Sequence, residues 1–163
     1  MWIFNRLKYK YYDIKSWIKG KSFQLIHGFD YRDCWALDRS ISLWLLPRLR
    51  HLKKIKQGIP TSCFEGMSLE EQGSDVGMKI AEERWNFILG EIIWSFQYLL
   101  DEDDIELKVC YPEDYDFGFE TDGCSKLIWN DDRKPDFDKL KPYTERYERG
   151  MKLFAEHFRE LWD

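Results

Sequence analysis

The sequence predicts a mainly α protein, with about four helices around one core and a small inserted β-hairpin from within residues 105–129. Two observations carry this reading. Apolar residues recur every three or four positions along four separate stretches, the period of a helix with one buried face. Ahead of the fourth stretch the pattern changes to strict alternation, the period of a half-buried strand. A length of 163 residues suits one domain, 1–163, with 103–135 as a loop or hairpin insertion.

The first helix is expected over 2–18, with Trp2, Ile3, Phe4, Leu7, Tyr11, Ile14, Trp17 and Ile18 at helical spacing and lysines between them. Gly20 and Gly28 then bracket a short apolar segment. The second helix is expected from Asp30, as N-cap, to Ile55. Cys34, Leu37, Ile41, Leu45, Leu49, Leu52 and Ile55 share its apolar face, Pro47 should kink it, and the run Gln57-Gly58-Ile59-Pro60 stops it. Residues 61–77 read as loop.

A third helix is expected over 78–100, with Met78, Ala81, Trp85, Leu89, Ile92, Phe96 and Leu99 on one face and Ile80, Phe87, Trp94 and Tyr98 opposite. A helix apolar on both sides is sandwiched or faces a partner, and the seven-residue recurrence of Ile80, Phe87 and Trp94 points to a homo-oligomer. Asp101 to Asp104 should close this helix. Ile105, Leu107, Val109 and Tyr111 then alternate with polar residues as a strand, with Asp122-Gly123 as a turn signal further on. Pro135 and Pro142 mark a linker before a last helix over 143–162.

Charge narrows the function. The net charge is −5, but residues 1–57 hold thirteen Lys and Arg against four Asp, a net of +9, leaving −14 for residues 58–163. Either the halves pack together and neutralise one another, or the basic half faces an anionic ligand. An acidic chain is a poor duplex-DNA binder. An aromatic content of 17%, with eight Trp, exceeds what a core needs and leaves rings for a pocket or interface. The absence of a long apolar run argues against a membrane role, and the N-terminus lacks a signal-peptide pattern, so the expectation is a cytoplasmic protein. Cys34, Cys63, Cys110 and Cys124 show no Cys-x-x-Cys spacing and read as reduced, mostly buried thiols.

Catalytic signatures are sparse. No phosphate loop, dinucleotide fingerprint, nucleophile elbow or His-Glu-x-x-His motif is present, so no catalytic residue, metal or cofactor is assigned. His27, His51 and His157 lie in separate elements. The informative pair is Asp38 and Arg48, both on the expected apolar face of the second helix, where an unpaired charge would be costly. They either pair with another helix or serve a pocket rimmed by Trp35 and Trp44. The run Arg48-Leu49-Arg50-His51-Leu52-Lys53-Lys54-Ile55-Lys56 is a solvated face, or it supplies donors for phosphate beside rings for a base. The candidate ligand-binding set is therefore Trp35, Asp38, Trp44, Arg48 and Arg50.

Three stretches form a recognisable series. Asp33-Cys34-Trp35-Ala36-Leu37-Asp38 leads to Leu46-Pro47-Arg48-Leu49. Trp85-Asn86-Phe87-Ile88-Leu89 follows, and Phe154 and Phe158 precede Leu161-Trp162. The series resembles a widespread family of small uncharacterised tailed-bacteriophage proteins, over most of the chain except 103–135. The resemblance implies a setting in the infected host cell and no particular activity. The expectation that follows is a counter-defence protein sequestering a small anionic (cyclic) nucleotide immune signal. The alternatives are an inhibitor of a host defence or metabolic enzyme through protein–protein contact, and a small nucleotide-degrading enzyme.

Overall fold

The computed structural model describes the backbone of residues 2–111, 117–121, 125–129 and 135–162, and the side chains of 14–111 and 135–162. The chain is mainly helical and divides into two compact units, Met1–Leu43 and Trp44–Asp163.

The first unit is built on α1 (Trp2–His27). The helix runs through Gly20 instead of ending at 18. A Cβ at Gly20 would lie 2.5 Å from Asp30 Oδ2 and 2.8 Å from Arg32 Nη2, so the missing side chain is what lets the following turn approach. Gly28 ends the helix at φ +83°, its N–H donating to the Gln24 carbonyl, a left-handed terminus that favours glycine. Asp30 caps a 3₁₀ turn (Tyr31–Cys34), not the second helix as the sequence suggested, and exchanges hydrogen bonds with Asp33 in a capping box. The hydrogen bond from Arg32 holds the Asp30 carboxyl down at about 2. The rings of Phe23, His27, Phe29 and Tyr31 cluster over this turn, with Lys19 Nζ 5.2 Å from the Tyr31 ring centre.

α2 (Leu37–Ile55) passes through Pro47 without ending. Within the second unit Leu46 and Leu49 are buried and Leu45, Leu52 and Lys53 half-buried. The inward face is therefore rotated toward Leu46: Leu45, Leu49 and Leu52 of the expected stripe stay inward, while Leu37, Ile41 and Ile55 are exposed. Trp44 and Arg48 lie two residues either side of Leu46, about 160° around the helix, and both are exposed.

A 3₁₀ turn (Thr61–Phe64) and a one-turn helix, α3 (Leu69–Gln72), occupy part of the stretch read as loop. Ser74 then caps α4 (Asp75–Cys110), a 36-residue helix about 54 Å long. Ala81, Trp85, Leu89, Ile92 and Phe96 are buried along it as the periodicity predicted, whereas Met78 is exposed. They form two clusters, one with Leu46 and Leu49 of α2 and one with Cys63.

The helix does not stop at Asp101. Ile105 and Val109 sit four apart and are half-buried with Asp101 and Glu106, and Cys110 is buried, whereas Leu107 faces outward. Two members of the alternating set therefore also satisfy helical spacing, and the strand expected over 105–111 is replaced by helix. Asp136 N–H caps the end on the Cys110 carbonyl. Further on, Phe117–Thr121 and Ser125–Trp129 run antiparallel, Phe117 opposite Trp129 and Thr121 opposite Ser125. The turn expected at 122–123 lies outside the described residues.

A 3₁₀ turn (Phe137–Leu140) leads into α5 (Lys141–His157), where Pro142 occupies the first turn, a position that tolerates the missing N–H, instead of marking a linker. A final 3₁₀ turn (Phe158–Glu160) replaces the end of the helix expected over 143–162, and Phe158 and Trp162, expected inside, are exposed.

α5 packs on α4 at very short range. A Cβ on Gly150 would lie 2.6 Å from the Glu91 carbonyl oxygen and closer still to Ser95 Oγ. The buried Ser95 hydroxyl shares its proton between the Glu91 carbonyl (3.0 Å) and the Tyr147 carbonyl (3.2 Å). Because the obstacle at Gly150 is backbone, relief requires the helices to separate. Gly150→Ala should therefore destabilise the protein by roughly 1–3 kcal/mol or more, read as a lower denaturant midpoint, even though alanine favours helix.

Candidate functional site

The second unit carries a shallow depression of about 410 Å³ where three helices meet. α2 supplies Arg50 and Lys53, one turn apart. α4 supplies Gly90, Ile93, Trp94 and Gln97, spaced to share one face, and α5 supplies Arg146. Three cations and an indole line it, and no carboxylate does.

Each cation is positioned differently. Arg50 Nη2 donates to Gln97 Oε1 at 2.8 Å, and Gln97 Nε2 donates in turn to Asp101 Oδ2 at 2.5 Å. Arg146 lies with its guanidinium carbon 4.3 Å from the Trp94 ring centre, a cation–π contact. Lys53 Nζ sits over Gly90, 3.1 Å from where a Cβ would be. Trp94 also stacks near Tyr98 and Tyr143 at 5.4 and 6.5 Å, so it is half-buried and does not extend the outward stripe of Ile80 and Phe87.

Next to Gly90 in the chain, Glu91 is 5% exposed and holds two arginines. Its Oε1 accepts from Arg146 Nη2 at 2.8 Å, and its Oε2 accepts from Arg149 Nη2 at 2.7 Å. Burial alone would push the Glu91 carboxyl up; the hydrogen bonds and charges of Arg146 and Arg149 outweigh it and hold the carboxyl below its ordinary value. One carboxylate against two guanidiniums leaves one positive charge over, to which Arg50 and Lys53 add.

A larger cleft, about 570 Å³, is lined by Ser62, Arg84, Phe87, His157 and Glu160 among others. Glu160 Oε2 accepts from Ser62 Oγ at 2.8 Å and lies 2.6 Å from His157 Nδ1. The shared partner is the carboxylate, so serine and histidine are not arranged as nucleophile and base. Arg84 Nη1 donates to the Cys63 and Glu65 carbonyls, which fixes the turn. With Glu65, Glu156 and Glu160 on its walls, this cleft repels an anion. Burial pushes the Cys63 and Cys110 thiols up, which makes them poor nucleophiles, while Cys34 is exposed. Among the described residues no group of three or more His, Cys, Asp or Glu is arranged to hold a metal, and no helix is long and apolar enough to cross a membrane.

Of the five residues singled out from the sequence, Arg50 lines the depression. Trp35, 93% exposed, and Asp38, also exposed, lie in the first unit. Arg48 is exposed, donating from Nη1 to the Trp44 carbonyl at 2.5 Å with its guanidinium 4.0 Å from the Trp44 ring centre. The expectation that Asp38 and Arg48 sit on a buried stripe is therefore corrected; the inward face is turned away from Arg48, and the exposed carboxylate of Asp38 keeps its hydration. Sequence reasoning missed Gly90, Trp94 as a site residue, Gln97 and Arg146. One signal was available: Glu91 interrupts the second apolar face of α4, that of Ile80, Phe87, Trp94 and Tyr98, and Arg146 and Arg149, one turn apart, are its matching counter-charges.

Two outcomes follow. Arg48→Ala should change stability by less than about 1 kcal/mol, measured by denaturation, since an exposed cation–π contact is worth about that much. Glu91→Gln should destabilise by about 1–2 kcal/mol near neutral pH, because Arg146 and Arg149 are half-exposed and can rehydrate. Because folding lowers the Glu91 carboxyl, its contribution is complete above the ordinary carboxyl range and is lost as pH falls through the lowered value. The stability gap between wild type and Glu91→Gln should therefore be widest above about pH 5 and close on acidification, followed by urea midpoint against pH.

No family model, curated protein or solved structure matches the chain.

Proposed function

We propose that the second unit binds a small anionic nucleotide and holds it without chemical change. The observation that carries this is the three-cation, one-indole lining of a depression free of carboxylates. Guanidinium and ammonium groups match phosphate, the Trp94 edge and Ile93 offer surface to a base, and about 410 Å³ lies at the small end of ligand sites, a volume for a mononucleotide. Sequestration fits better than turnover because no general base, nucleophile or metal cluster is found among the described lining residues. In the phage setting that the sequence resemblance implies, the protein would remove a nucleotide signal from the host cytoplasm as a counter-defence device.

AMP titrated into the full chain by calorimetry is the direct test. Binding should weaken about tenfold in Arg50→Ala and fall with added salt, and mass spectrometry should recover AMP intact. Equal heats for wild type and Arg50→Ala would overturn the site, and recovery of adenosine and phosphate would favour an enzyme instead.

A second reading, contact with another protein or a second copy, has one observation behind it: Ile80 and Phe87, seven residues apart on α4, are 40% and 59% exposed. Phe87→Asp should then lower the sedimentation coefficient at micromolar concentration if copies associate there, and leave it unchanged if they do not.

A further inference from the structure

We propose that Gly90 is a positioning residue that keeps the Lys53 ammonium at the floor of the depression, and that Lys53 is the primary anchor for a compact phosphate group; the inference rests on the nucleotide-binding reading above. The three lining cations are not equivalent. Arg146 shares its charge with Glu91 and covers Trp94, and Arg50 has one amino group committed to Gln97. Lys53 is half-buried and, among the described residues, has no carboxylate or hydrogen-bond partner to satisfy its three donors. A lysine ammonium is a compact point charge, suited to a terminal phosphate and unsuited to two-pronged recognition of a flat group.

Gly90 explains how Lys53 reaches that place. A glycine inside a helix is unfavourable because it loses the most backbone freedom on folding, and in a 36-residue helix it calls for a local reason. Gly150 has such a reason in packing, since its missing Cβ would strike the backbone of α4. Gly90 has a different one. Outside its own helix, the one atom within 4 Å of a Cβ at position 90 is Lys53 Nζ, at 3.1 Å. The empty space at Gly90 is therefore occupied by a charge and not by another helix. A methyl group there moves the tip of a flexible side chain by a few tenths of an ångström, which the fold tolerates, and a larger side chain lifts the ammonium off the floor.

Folding and binding should thus respond in opposite directions. Gly90→Ala and Gly90→Leu should melt at or above the wild-type temperature. AMP affinity, measured by calorimetry on the full chain, should fall slightly in Gly90→Ala and about tenfold in Gly90→Leu and in Lys53→Ala. In the Lys53→Ala background Gly90→Leu should produce no further loss, because both changes remove the same contact. Inorganic phosphate, tested as a competitor, should displace AMP from wild type and lose that ability in Lys53→Ala. Wild-type affinity in Gly90→Leu, or equal losses from Gly90→Leu in both backgrounds, would overturn the positioning role. If Arg50→Ala weakens AMP but Lys53→Ala does not, the site stands and the anchor assignment fails. If wild type binds no AMP, both fall together.

Discussion

The second unit depends on one short helix crossing. α4 and α5 approach so closely at Gly150 that a Cβ there would strike Glu91 and Ser95, and the Ser95 hydroxyl is hydrogen-bonded to both backbones. One turn away the same crossing buries Glu91, a charge that could not remain there unpaired. Arg146 and Arg149 reach it because Gly150 brings α5 near enough. Close approach and ion pairing thus require each other: a wider crossing would strand the carboxylate, and an uncharged residue at 91 would release the two arginines to solvent. The triad does not have to be strongly stabilising to matter. What it fixes is register, because sliding α5 by one turn would leave at most one of the two guanidiniums within reach of Glu91.

That register also places Arg146 over Trp94, and with it one wall of the depression. The buried carboxylate therefore acts on the candidate site at one remove. It takes up part of the charge of Arg146, orients its plane against the indole and leaves Lys53 and Arg50 as the cations with capacity to spare. A side chain locked by a charged partner and a ring is preorganised, so little rotamer freedom is lost when an anion arrives.

Much of the scaffold was legible from periodicity. The inward face of α4 from Ala81 to Phe96 is uninterrupted enough to be read directly, and α5 follows similarly. Where the reading failed, two patterns coincided or a competing interaction won. Ile105 and Val109 fit both a strand and a helix, and the burial of Cys110 on the helical face decided between them. In α2 the apolar run Leu43 to Leu46 allows several apolar faces, so the choice among them rests on what α4 offers and not on α2 itself. That is why Arg48 was assigned inward and why Arg50, two residues on, is the one that lines the depression. Gly90 and Gly150 are alike in sequence, two glycines within helices; only the atoms opposite them, an ammonium in one case and a backbone carbonyl in the other, separate the proposed positioning role from a packing role.

The charge of the surroundings completes the electrostatic picture. Residues 44–163 hold seventeen Lys and Arg against twenty-six Asp and Glu, a net of −9, so the cationic depression is a local exception on an acidic body. At physiological ionic strength fields decay over roughly 8 Å, so a mononucleotide seated among Lys53, Arg50 and Arg146, as proposed, would sense chiefly those three groups. A long polyanion would extend beyond the depression over a unit whose net charge is negative, and would meet net repulsion there. Selection between the two then comes from what lies outside the site as much as from what lines it. A basic body with the same depression would hold nucleic acid indiscriminately; on an acidic one, under the proposed reading, a small anion is the ligand whose charge would be matched within the site's own dimensions.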